Sequence, residues 1–177
     1  MEREQQAVLE LCKWQNPDGA RLSALFGVHS SAGAGAAAGP ADLRWILGQS
    51  LWGRAGGMAY LALEKSGLLY EVNREFRNTL ESVYMANRTR SQSFQNALSD
   101  LAAVLGDADF PYALLKGAYL AQLYPAGLRT SNDIDVLISS ASLPALEERL
   151  EGCGYIQGRY DRAEGRIIPA TRREKLL

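Results

Sequence analysis

From Glu71 to Leu105 the chain holds neither glycine nor proline, and apolar residues recur every three or four positions: Val72, Phe76, Leu80, Val83, Phe94, Leu98, Leu101 and Leu105. This spacing predicts one helix of about 35 residues, about 50 Å long at 1.5 Å per residue. Such a stripe is core packing, and it makes a long helix the organising element of the fold. Asn87 and Ser91 place polar groups on the same stripe. They mark a kink, a wet patch or a break into two helices.

Shorter helical patterns precede it. Residues 2–14 carry Val8, Leu9, Leu11 and Cys12 among polar residues, and Asn16-Pro17-Asp18-Gly19 stops that helix. Asp42 can cap a helix bearing Leu43, Trp45, Ile46, Leu47, Leu51 and Trp52, which Gly56-Gly57 breaks. Residues 58–66 form another, ending at Gly67. Between the first two lies 27–40, with four glycines, one proline and almost no large side chain, read as a flexible loop. Within it, Gly33-Ala-Gly-Ala-Ala-Ala38 matches a dinucleotide fingerprint in letters only, because no strand precedes it. His29, in the same segment, has no partner near it in sequence.

After Gly106-Asp107-Ala108-Asp109 the pattern changes. Phe110–Leu115 and Asp133–Ile138 are short apolar runs of strand length, separated by a helical pattern from Ala118 to Tyr124. Ser142 then caps a helix with Pro144 early in it and Leu143, Leu146 and Leu150 facing inward. Residues 155–160 and 165–168 read as paired strands around the turn Asp161–Glu164. The expected fold is α+β. An all-α region over 1–109 precedes a small, partial α/β core with a short mixed sheet over 110–177, incomplete at its C-terminal end.

Nineteen Lys and Arg against 20 Asp and Glu leave a net charge of −1, so nucleic acid is not an expected partner. No apolar run reaches about 18 residues, and no basic segment leads into an apolar one at the N-terminus. A cytoplasmic protein without a membrane partner is therefore expected. Cys12 and Cys153 are too far apart in sequence for a zinc cluster or a disulfide framework. Cys153, between two glycines, reads as a small packing residue. The cations at 159, 162, 166, 172, 173 and 175 read as a solvated surface.

The chemistry lies in one stretch. Asp133 and Asp135 flank Ile134 in a predicted strand, so their side chains share a face with α-carbons about 6.5 Å apart. Two carboxylates entering a buried strand together repel unless a cation sits between them. Mg²⁺, which takes hard oxygen ligands and is often shared with substrate phosphates, is the simple remedy. Arg129-Thr130-Ser131-Asn132 precedes the pair with a cation and hydrogen-bonding groups. Upstream, Leu114-Leu-Lys-Gly117 sets a glycine after a strand and at a helix start, where free N–H groups suit a phosphate, and Lys116 adds a mobile charge.

Taken together, Leu115-Lys-Gly-Ala-Tyr-Leu-Ala, Leu123-Tyr-Pro, Gly127-Leu-Arg129 and Asn132-Asp-Ile-Asp-Val-Leu-Ile138 resemble the DNA polymerase β-like nucleotidyltransferase superfamily. More narrowly, they resemble a bacterial nucleotidyltransferase family with LKG in place of the usual Gly-Ser signature. The resemblance implies Asp133 and Asp135 as catalytic metal ligands for Mg²⁺. It implies Lys116, Gly117, Ala118, Arg129, Ser131 and Asn132 as nucleotide-binding residues, with Arg129 alternatively capping an acidic turn. The implied activity moves a nucleoside monophosphate from a nucleoside triphosphate to an unknown acceptor: a small molecule, peptide or protein. Two departures stand out. Ala118 occupies the superfamily's Ser position, and no strand carries the superfamily's third carboxylate, for which Asp161 and Glu164 are poor candidates. The alternative is a non-catalytic binding or assembly module whose helical region, rich in Trp45, Trp52, Phe76 and Phe94, docks a partner protein or peptide.

Overall fold

A computed structural model describes residues 2–28, 41–171 and 174. Helix α1 (Glu2–Leu11) opens with Glu2 and Glu4 in its first turn, where acidic groups suit the helix dipole. Helix α2 (Gly19–Phe26) follows at once, in a stretch whose periodicity does not predict a helix. The Asp18 carboxylate accepts from the Arg21 N–H at 2.9 Å, and Gly27 closes the helix at φ +69°. Helix α3 (Leu43–Trp52) is capped by Asp42 as expected, through the Trp45 N–H at 3.0 Å. Helix α4 (Gly56–Lys65) begins on the two glycines rather than after them.

Helix α5 (Arg74–Leu105) is continuous through Asn87 and Ser91, and Asn73 caps it through the N–H groups of Glu75 and Phe76. Its first turns supply Phe76 and Leu80 to a core built with α1 to α4, including Ala7, Leu22, Ile46, Ala59 and Leu63. Farther along, Phe94, Leu98, Leu101 and Leu105 pack against the α/β half. One helix thus serves both bodies. Phe76 and Phe94 are buried in these cores and Trp45 packs against the first, so of the four aromatics expected to dock a partner only Trp52 stands well exposed.

Strand β1 (Tyr112–Leu115) runs into the short helix α6 (Gly117–Leu120), and strand β2 (Asp135–Ile138) returns antiparallel to it, with Leu115 opposite Asp135 and Tyr112 opposite Ile138. After a 3-10 turn over Ser140–Ser142 comes helix α7 (Leu143–Gly152), then the hairpin of β3 (Gly158–Asp161) and β4 (Arg166–Pro169). The α+β fold is therefore as expected, with its short sheet made of two separate antiparallel pairs. The tight Asp161–Arg166 turn permits only antiparallel pairing.

Three local expectations change. Ser142 makes no capping hydrogen bond; Ser139 does, one turn earlier, through the Ala141 N–H. Leu143 lies outward while Leu146 and Leu150 pack inward. Cys153 is exposed rather than packed. The loop expected over 27–40 lies, apart from Gly27 and Val28, outside the described residues, as do the Gly33–Ala38 fingerprint, His29, Arg172, Arg173 and Lys175. Among the described residues, no helix is long and apolar enough to cross a membrane.

Candidate active site

The site starts at the turn from β1 into α6. Lys116 sits at φ 45°, ψ −110°, a backbone region that residues with a Cβ rarely enter and that costs about 1–3 kcal/mol. Such strain persists only where the surroundings impose it. Here the next residue is pressed against the loop before β2. A Cβ added to Gly117 would lie 2.2 Å from the Ser131 Oγ and 2.8 Å from its Cβ, so only glycine fits. The Ser131 hydroxyl is placed to donate to the Asp133 carbonyl and to the Asp133 Oδ1, both at 3.2 Å.

Across this turn, the Lys116 Nζ lies 3.0 Å from the Asp135 Oδ2. The Lys116 pKa is raised, chiefly by the hydrogen bond to Asp135 and by that residue's charge, with a smaller push from Asp133. One ammonium therefore feels both carboxylates. Ile134, between the two acids, packs into the apolar clusters on the other side, as its position between them predicts.

Strand β2 begins at Asp135, two residues later than the sequence suggests. The reason lies in its partner: β1 ends at Leu115, opposite Asp135, and the chain turns away at Lys116. Asp133 is left in the irregular approach, where Ser131 holds it. Helix α6 is likewise one short turn instead of a helix to Tyr124. So few peptide dipoles sum to little, and a phosphate there would depend on individual N–H groups and on Lys116.

Ala118 is fully buried against Phe94 and Leu98 of α5. Its methyl group fills an apolar slot that a serine hydroxyl would enter without a partner. Arg129 is exposed, with its guanidinium 5.9 Å above the Tyr124 ring. Asn132 is exposed in the bend before Asp133. Among the described residues, no hydrogen bond or ion pair joins these two side chains to the cluster of Lys116, Gly117, Ser131, Asp133 and Asp135.

Residues far off in sequence hold the site loop. The Ser91 Oγ accepts from the Gly127 N–H and is placed to donate to the Arg129 carbonyl, both at 3.3 Å. Gln95, one turn on, donates to the Ala121 carbonyl at 3.5 Å. Gly127 is buried at φ +94°, and an added Cβ there would lie 2.7 Å from both Arg88 and Tyr84. A Cβ added to Gly57, at the start of α4, would lie 2.1 Å from the Gly127 carbonyl oxygen. The polar interruption at Ser91 is thus no break, since α5 runs through it. It is a clasp, and its only signal in the sequence was a hydroxyl on an apolar stripe.

Two carboxylates and a serine hydroxyl beside one of them are hard oxygen donors of the kind a divalent cation takes, while the Lys116 ammonium, which has no lone pair to offer a metal, occupies the other carboxylate. No third acid joins them among the described residues. Among the described residues no group of three or more His, Cys, Asp or Glu is placed to hold a metal ion. The Asp161 carboxylate caps its own hairpin turn through the N–H groups of Ala163 and Glu164, and Glu164 pairs with Arg166.

A family model described as an uncharacterised nucleotidyltransferase matches residues 39–175. The chain belongs to that family. No curated protein and no solved structure matches it. The matched segment runs from before α3 to beyond β4, so in this nucleotidyltransferase family the unit includes α3, α4 and the long helix as well as the two acids.

Proposed function

We propose that this protein is a Mg²⁺-dependent nucleotidyltransferase module that passes a nucleoside monophosphate from a nucleoside triphosphate to a small-molecule, peptide or protein acceptor, releasing pyrophosphate. Membership of the family supports nucleotidyl transfer in general. The single observation that carries the finer reading is the meeting of Asp133, Asp135, Lys116 and Ser131 on Gly117.

Asp133 and Asp135 would hold the metal. When bound, Mg²⁺ supplies positive charge to the triphosphate and leaving group and lowers the pKa of the attacking hydroxyl. The protein's share is positioning and charge. Ser131 orients the Asp133 carboxylate. Lys116 and the backbone at Gly117 and Ala118 bind the triphosphate, and the exposed Arg129 and Asn132 side chains, on the chain leading from the Ser91 contact to Asp133, would turn to the same ligand when it binds. The strained Lys116 turn keeps these groups preorganised, which saves ordering them when the nucleotide arrives.

The test is Mg²⁺-dependent binding of each nucleoside triphosphate to the wild type and to the Asp133→Asn/Asp135→Asn double variant. A drop of about tenfold or more in the variant is expected; equal binding overturns the metal site. A second reading, nucleotide binding without turnover, is favoured by there being no third acid beside the pair among the described residues. Pyrophosphate release in the presence of candidate acceptors separates the two.

A further inference from the structure

We infer that Lys116 is the resident counter-ion of the acidic pair, holding Asp135 in the free protein and passing to the nucleotide's phosphates as a divalent cation takes its place. This rests on the reading of the site proposed above and adds how its two ligands are coupled.

Position and charge carry it. The ammonium lies 3.0 Å from the Asp135 Oδ2, on the acid a metal would need. Two carboxylates and one ammonium sum to −1, a poor match for a dication. Without the lysine the pair carries −2, which one divalent ion neutralises. The lysine is also free to leave: its side chain is 76% exposed, Asp135 is 35% exposed, and ion pairs this open to water are weak.

The backbone shows that the lysine is not there for the turn. At φ 45° the turn favours glycine, yet a side chain with a long, flexible stem stands in that position. A triphosphate at Gly117 offers the ammonium more negative charge than Asp135 alone. Once Lys116 moves, Asp135 is released to the metal. Metal binding is then weak in the free protein and strengthened by nucleotide, and by linkage the converse holds equally.

The experiment uses Mn²⁺ alone, without nucleotide, and counts free ion by electron paramagnetic resonance against the full chain. Wild type, Lys116→Gly, Lys116→Gln and Asp135→Asn are compared. The glycine variant fits the φ 45° turn, so folding is preserved or improved, and the glutamine variant keeps most of the side chain's bulk. Both lysine variants are expected to bind Mn²⁺ about three- to tenfold tighter than wild type, and Asp135→Asn to lose binding. If the lysine variants bind like wild type while Asp135→Asn loses the ion, the metal site stands and the counter-ion role is overturned. If neither lysine variant binds Mn²⁺, the counter-ion inference is overturned, while the metal site stands or falls by the Mg²⁺-dependent nucleotide binding of the wild type and the double aspartate variant.

Discussion

In the helical half, fifteen residues from α1 to α5 form one continuous core, with Ala7, Leu22, Ile46, Ala59, Ala62, Leu63 and Leu80 sealed from water. The α/β half has no comparable body. Its buried apolar residues, Leu128 apart, form two small clusters against α5, and Tyr112, Leu137, Leu143, Ile156, Tyr160 and Ile167 stand exposed. What it lacks in apolar burial it makes up in polar ties to the long helix and the turn that follows it: Ser91 to the 127–129 loop, Gln95 to Ala121, and Arg149 to the Val104 carbonyl and to the Asp107 side chain and carbonyl just past the helix end. The difference separates tasks. Hydrophobic burial, which is non-directional, sets the stability of the helical half, whereas directional hydrogen bonds set the geometry of the half with the candidate site.

The largest expected effect tests the burial side of this contrast. Leu63→Ala should destabilise the protein by about 2–5 kcal/mol, because its cavity is closed on all sides. Leu146→Ala should cost about 1–2 kcal/mol, since Leu146 lines a groove open to water and its loss leaves less of a true void. Urea unfolding of both variants checks this, and equal losses would break the comparison. Next comes Gly57→Ala, whose methyl group would collide with the Gly127 carbonyl. A cost of about 1–3 kcal/mol is expected, together with weaker nucleotide binding, because the backbone at Gly127 has to shift. A variant with unchanged melting and binding would mean that the two halves do not press together there.

Glu10 sharpens the contrast from the other side, as a charged group inside the apolar half. Its carboxylate, 2% exposed, accepts from the Lys13 Nζ at 2.8 Å and the Asp18 N–H at 3.2 Å, with the Arg21 Nε at 3.7 Å. The Lys13 hydrogen bond leads in lowering its pKa, against desolvation, with help from the Asp18 N–H and the charges of Lys13 and Arg21. A lowered folded pKa means that the stabilisation is complete above the ordinary value of 4.5 and is lost as pH falls below it. Thermal melts should therefore show wild type losing its advantage over Glu10→Gln, about 1 kcal/mol at neutral pH, as the solution is acidified below that value. A pH-independent gap would sink the assignment. The smallest effect belongs to Ser91→Ala, at about 1 kcal/mol in stability, with a larger relative loss in nucleotide affinity measured by titration.

Much of the fold is local and could be read from the chain. The α5 helix, the Asp42 cap and the β3–β4 hairpin follow from periodicity and turn chemistry that act within a few residues. Helix α2 was missed because eight residues starting at a glycine carry too few repeats to register, although Asp18 three residues before Arg21 was a capping signal. At the site, the two acids, Lys116 and Gly117 were legible as types and spacings. That Asp133 lies outside the strand was not, because a strand's end is set by where its partner stops.

By itself the sequence determined a long uninterrupted helix, two short strands before and after a glycine-led turn, and a pair of acids one residue apart, since each depends on neighbours along the chain. Only the tertiary structure decided that Lys116 meets Asp135, that Ser91 clasps the loop 36 residues away at Gly127, and that α4 rests on that same loop. Those contacts join segments whose approach is dictated by packing on α5, and no local pattern encodes a distance between residues that the chain itself holds far apart.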